Sequence, residues 1–339
     1  MNRSQRKFTR PKNILAASGV VLLSFLFPLS ARAASFSEMY VFGDSLSDTG
    51  NLFEQTEGQI PPSPPYFNGR FSNGPVWVEY LAEDLNLSVN PQTNFAYGGA
   101  TTGETNVTVS QAPGLLAQID SFTNPPASLD PNALYIVWAG PNDYLNAGVT
   151  DPSQSVANLS TAIASLANDK AKNFLVPNLP DLGSLPRTKN TEVSDSLNDL
   201  TRLHNAGLAG TLNSLENTLP TDVKLTSFDV NAIFDRLLND PASLGFTNVT
   251  EPCLNSQTGV ACDNPSEYAF WDDIHPTTAS HENLGEFAFM ALEKEEPASV
   301  PEPFSGMAIL GFGVFGAGAM RDRKRKQVRA IPQEVSAKE

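Results

Sequence analysis

The chain has 339 residues, 22 of them Lys or Arg and 37 Asp or Glu, for a formal net charge of −15 at pH 7. The imbalance is concentrated between residues 34 and 303, where 9 basic residues face 34 acidic ones, a net of about −25. A body this acidic repels phosphate backbones and anionic lipid headgroups, which excludes nucleic acid as a partner and argues against electrostatic docking on a membrane surface.

In chain order, residues 1–33 read as a secretory signal peptide. They combine a basic, acid-free start, an apolar run from Ile14 to Leu29, and the small-x-small site Ala31-Arg32-Ala33. A single domain then spans 34–299, with no internal repeat and no long linker. Strand-like apolar runs occur at 39–43 (MYVFG), 133–140 (ALYIVWAG), 172–179 (KNFLVPNL) and 222–230 (DVKLTSFDV). Helical spacing of apolar residues follows Pro75 in PVWVEYLAEDL and follows Asp151 as far as Ala171. The clearest helix runs from Glu192 to Leu219, with Val193, Leu197, Leu200, Leu208, Leu212, Leu215 and Leu219 as its stripe. A last amphipathic helix begins near His281, which is expected to be exposed or capping. Strand alternating with helix predicts an α/β domain, a mainly parallel sheet covered on both faces that binds its ligand at the carboxyl ends of the strands.

Cys253 and Cys262, nine apart, predict a local disulfide in an exported chain, and their place just before WDDIHP predicts a bracing role. Residues 300–326 form a second signal: Val300-Pro301-Glu302-Pro303, an uncharged run from Phe304 to Met320, and the basic cluster RDRKRK. Seventeen uncharged residues sit at the lower limit for a membrane-spanning helix, and the basic cluster predicts that the tail, 327–339, stays cytoplasmic.

A hydrolytic serine needs a base, and the chain has three histidines. His204 falls on the stripe of the long helix and is expected to be a packed residue. His275 alone has an aspartate, Asp272, three residues upstream, from where a carboxylate on a turn can orient the imidazole. Asp273 is the rival orienter, but adjacent side chains point apart. At the other end, Gly43 lets the first strand turn tightly into Asp44, Ser45, Ser47 and Asp48, more polar groups than one helix start needs. A serine there stands at the ligand edge of the sheet, near backbone amides that can meet a developing anion. Of the others, Asp44 is expected to hold the turn and Ser47 and Asp48 the following helix. No HExxH, Walker, GxGxxG or G-x-S-x-G motif is present, so no metal or cofactor is expected.

The FGDSLSD stretch resembles the first block of the GDSL, or SGNH, hydrolase family. NFAYGGATT (94–102), GPNDY (140–144) and DDIHP (272–276) resemble its later blocks in order, and GRFSNGPVWVEYLA (69–82) is similar to its secreted lipolytic branch. The resemblance implies a three-layer α/β/α sandwich around a flavodoxin-like five-stranded sheet. It implies Ser45 as nucleophile, His275 as base, Asp272 as its orienter, and an oxyanion hole of the Ser45 amide, Gly99 and Asn142. Gly99 rather than neighbouring Gly98 follows from counting five residues from Asn94. The expected function is hydrolysis of a small-molecule or lipid carboxylic ester; an idle surface-binding protein and an acyltransferase are the alternatives. Tyr66, Phe67, Phe71, Trp77 and Tyr97 are expected either to line an acyl pocket or to lie in the core. The carboxy-terminal segment resembles the PEP-CTERM sorting signal, which implies an envelope or extracellular protein, membrane-anchored through that helix until an exosortase-type enzyme processes it.

Overall fold

A computed structural model describes residues 36–124 and 128–295. Four strands form a parallel sheet in the order β1 (Met39–Gly43), β2 (Leu134–Trp138), β3 (Asn173–Pro177), β4 (Lys224–Phe228). All five residues of β2 are buried, the condition of a strand covered on both faces and the reason it reads as an unbroken apolar run. The fifth position is filled without a full ladder. On the free side of β1, Thr93 accepts from the Val41 N–H at 2.9 Å, and the Phe95 and Tyr97 N–H groups donate to Val41 and Gly43 at 2.7 and 3.1 Å. This extended piece, bridged in parallel at Asn94, gives the flavodoxin-like order, with the second strand outside the first.

The helices are α1 (Asn51–Gln55), α2 (Trp77–Asp84), α3 (Leu115–Thr123), α4 (Pro141–Leu145), α5 (Ser153–Asn168), α6 (Ser194–Glu216), α7 (Val230–Asn239) and α8 (Thr278–Glu295). Period-two alternation sorts the strand side chains between two cores. Met39, Val41, Ile136 and Trp138 face α2, α7 and α8, while Phe42, Tyr135, Val137 and Phe174 face α3, α5 and most of α6. α8 crosses α2 closely at Gly285, where a Cβ would lie 2.8 Å from Cβ of Tyr80 and 2.9 Å from the Trp77 carbonyl oxygen.

Two expectations are corrected here. The long helix buries Leu197, Thr201, His204, Leu208, Leu212 and Leu215, but Val193 precedes its first turn and is 51% exposed. His281, expected to be exposed or capping, is 1% exposed; it lies one turn into α8, on the face that turns inward.

A two-stranded parallel sheet, β5 (Asn248–Pro252) with β6 (Tyr268–Phe270), carries the expected Cys253–Cys262 disulfide. Buried Cys253 and Leu254 pack with Trp271, and the Cys253 and Leu254 N–H groups donate to Phe270 and Trp271 at 3.0 and 2.7 Å. The disulfide loop is thus laced to the strand that leads into Asp272. Among the described residues no helix is long and apolar enough to cross a membrane. The signal peptide at 1–33 and the sorting segment at 300–326 lie outside the described residues.

Candidate active site

The site begins where β1 stops. A Cβ on Gly43 would come within 2.4 Å of the Trp138 carbonyl oxygen, so the strand end admits only glycine at that register. The chain then turns back. The Asp44 carbonyl accepts from the N–H groups of Ser47 and Asp48, both at 3.0 Å, and the Asp44 carboxylate accepts from the Leu46 N–H at 3.0 Å. Asp44 therefore holds the turn, and Ser45 stands half-buried at its apex.

Ser45 Oγ lies 2.9 Å from His275 Nε2, and His275 Nδ1 lies 2.7 Å from Asp272 Oδ2. The imidazole reaches Ser45 across 230 positions of sequence because the loop after β6 turns over Asp272. Asp272 Oδ1 accepts from the N–H groups of Ile274 and His275 at 2.9 and 2.6 Å. Asp273 points away and pairs with Arg187 at 3.1 Å. The Phe71 ring lies against the imidazole, centroids 5.0 Å apart.

Sequence reasoning missed one participant's contact: the Tyr66 hydroxyl donates to Asp272 Oδ2 at 2.6 Å, from 206 positions away. Tyr66 was noticed only as an aromatic, and nothing in its local spacing points to Asp272. Of the other aromatics in that group, Trp77 belongs to the core, Tyr97 is half-buried, Phe67 is exposed under the Arg70 guanidinium, and Phe71 lines the cavity at the site.

Ser45, Gly99 and Asn142 line one cavity. Among the described residues the N–H groups of Ser45 and Gly99 have no acceptor, whereas the Gly98 N–H donates to Asp48 at 2.8 Å. Gly99 lines the cavity with φ +82°, and a Cβ there would meet Thr108 Oγ1 at 2.2 Å. At the start of α4, the Asn142 amide is aimed by two contacts: its oxygen accepts from Asn146 at 2.9 Å and its nitrogen donates to the Ala100 carbonyl at 3.1 Å. One of its two N–H bonds remains for a ligand. Asp48 ties these pieces together, accepting from Gly50, Asn51 and Leu52 at the start of α1 and from Gly98. Ser47 does not cap that helix; it accepts from Trp77 Nε1 at 3.1 Å.

Electrostatics follow from burial and partners. Burial by itself raises the Asp272 pKa, but the His275 charge and hydrogen bonds outweigh it and hold the carboxyl at about 2. Burial works against the His275 imidazolium, yet the charge and hydrogen bond of Asp272, with Asp44 behind them, raise its pKa above the ordinary 6.5. Asp44, buried with the Leu46 N–H against it, is pushed up to about 7. The other histidines are kept neutral by burial. His204, bonded to the Tyr144 hydroxyl at 2.7 Å, falls to about 4, and His281, also under the charge of His275, falls to about 3. A hydroxyl on a base of raised pKa, that base on a committed carboxylate, and free amide donors alongside can form and break an acyl bond.

Comparison with known proteins agrees with this chemistry. The family model of GDSL-like Lipase/Acylhydrolase matches residues 39–288. The phosphatidylcholine-sterol acyltransferase of Aeromonas hydrophila is 31% identical over 335 residues, covering 81% of this chain and 97% of that protein. The thermolabile hemolysin of Vibrio parahaemolyticus is 30% identical, covering 74% of this chain and 62% of its own, and the secreted effector protein SseJ of Salmonella typhimurium is 27% identical, covering 75% and 63%.

Proposed function

Since the chain belongs to the GDSL-like lipase/acylhydrolase family, we propose that it cleaves carboxylic esters through an acyl-enzyme on Ser45. His275 Nε2 takes the Ser45 proton as Oγ attacks the ester carbonyl. The oxyanion rests on the Ser45 N–H, the Gly99 N–H and the Asn142 amide. His275 returns the proton to the departing alcohol, leaving the acyl group on Oγ. Water then adds to the acyl carbon, giving its proton to His275, and the acid leaves as Oγ recovers that proton. Asp272 stays ionised throughout and stabilises the imidazolium formed in each half-reaction.

The observation that supports this reading is the continuous line Asp272–His275–Ser45, at 2.7 and 2.9 Å, in one cavity with Gly99 and Asn142. The test is Ser45→Ala against p-nitrophenyl acetate through decanoate, with fluorophosphonate labelling of the native protein. Labelling at Ser45 and loss of turnover by at least about 10³-fold are expected; undiminished turnover by the variant sinks the reading, and a protein that binds but never labels is the idle alternative.

A second reading comes from the relative named as an acyltransferase: the same acyl-enzyme passes its acyl group to an alcohol in place of water. Adding a sterol or primary alcohol to the assay and measuring ester product against free acid separates the two. The leader at 1–33 and the segment at 300–326 support export and retention at the envelope, which fractionation of cells with and without the last 40 or so residues would test.

A further inference from the structure

Ser45 opens into a cavity of about 450 Å³. The successive strands each contribute a residue just past the carboxyl end: Ser45 after β1, Asn142 after β2, Leu182 after β3 and Val230 after β4. With neighbouring strands about 4.8 Å apart, the β4 end of the cavity lies roughly 14 Å from the β1 end. At the β4 end, the branch of the cavity beside α7, the wall is apolar. α7 offers Val230, Ile233, Phe234 and Leu237, the i, i+3, i+4, i+7 positions of one helix face, and Leu284 of α8 also lines the cavity.

The polar groups of this branch are already committed. Ser280 Oγ donates to the Ala269 carbonyl at 2.7 Å, Trp138 Nε1 to the Asn178 carbonyl at 3.1 Å, and Arg187 to Asp273. A sugar or a peptide entering there would surrender its hydrogen bonds to water with none returned. An aliphatic chain loses nothing and buries its surface. Val230, Phe234, Leu237 and Leu284 belong to the core cluster between sheet, α7 and α8, and Ile233 packs against it.

We propose that this branch binds the acyl chain, so that the substrates are medium-chain fatty acyl esters, with α7 measuring the chain length. The inference rests on Ser45 being the acylated residue. A depth of roughly 14 Å takes an extended chain of roughly eight to twelve carbons. Leu237 also lines the cavity, two turns beyond Val230 on α7.

The experiment has a catalytic and a binding arm. In the first, kcat/KM is measured for p-nitrophenyl esters from acetate to decanoate. It is expected to climb by up to about fourfold for each added methylene. Leu237→Trp, and separately Ile233→Phe, is expected to lower the decanoate-to-butyrate ratio of kcat/KM at least about tenfold, a ratio independent of the fraction of protein folded. A flat or falling series, or ratios unmoved in both variants, overturns the proposal while ester hydrolysis stands. In the second arm, calorimetry follows free decanoate and butyrate binding to Ser45→Ala. Decanoate is expected to bind at least about tenfold more tightly, and equal affinities overturn the proposal. Tight decanoate binding by a protein whose Ser45 never labels would overturn the catalytic reading alone.

Discussion

The Tyr66 hydroxyl and the His275 Nδ1–H converge on one oxygen, Asp272 Oδ2, at 2.6 and 2.7 Å. The phenol therefore shares the negative charge that would otherwise bear on the imidazole alone. Tyr66→Phe leaves more of that charge to His275, so the imidazolium is better stabilised and its pKa, already above 6.5, rises further. Catalysis needs the neutral base, so the acid limb of the kcat/KM profile is expected to move to higher pH. Loss of a positioning hydrogen bond to a charged group also lowers the rate at the optimum, by about tenfold. A pH profile of the variant checks both, and an acid limb unchanged or displaced to lower pH contradicts the charge-sharing argument.

Asn142→Ala removes one of the three donors proposed for the oxyanion. The expected effect is a fall of about 10²–10³-fold in kcat with little change in KM, because the donor acts on charge that develops in the transition state. Steady-state kinetics on one ester suffices; a change confined to KM would place Asn142 in ground-state binding.

His281 bears on stability. Both its ring nitrogens are buried with no partner among the described residues, and its pKa of about 3 lies below the ordinary 6.5. The unfolded chain takes up a proton that the native one refuses, so this contribution is intact above pH 6.5 and drains away as the pH falls through about 3. His281→Leu deletes both unpartnered groups. It is expected to raise stability by about 1–3 kcal/mol and to flatten the acid side of the stability profile. Urea titrations at several pH values read this out, and a destabilised variant with unaltered pH dependence refutes it.

Cys253→Ser with Cys262→Ser opens the nine-residue loop. In the chain-entropy model the loss is about 2–3 kcal/mol. Because Cys253 packs with Trp271 and Tyr66 lies against that cluster, activity is expected to fall along with the melting temperature. A variant less stable but fully active at low temperature would show that the disulfide braces the fold without bracing Asp272.

Much of this arrangement was legible in the residues themselves. β1, β2 and β3 read as apolar runs because both their faces are covered, and Asp272 is separable from Asp273 because neighbouring side chains on a turn diverge. α7 begins inside the run that reads as the last strand, so its four cavity-lining residues are hidden in the sequence. Segment 93–97 passed unnoticed as the fifth strand because one bridge leaves no alternating pattern. His281 misled because one imidazole in a polar helix start looks solvated, and only the packing of α8 on α2 puts it inside. The meeting of Tyr66 with Asp272 depends on two distant loops, and no local spacing encodes it.

The proposed nucleophile stands two residues after the first strand, and its proposed base stands three residues before the last described helix. A chain emerging from the ribosome displays Ser45 early, yet that serine is an ordinary alcohol until His275 and α8 have been made and have closed against α2. Reactivity at Ser45 is thus a report of completion. A fluorophosphonate offered to a refolding sample would time the docking of α8, and truncations that end before α8 would carry the serine without its chemistry.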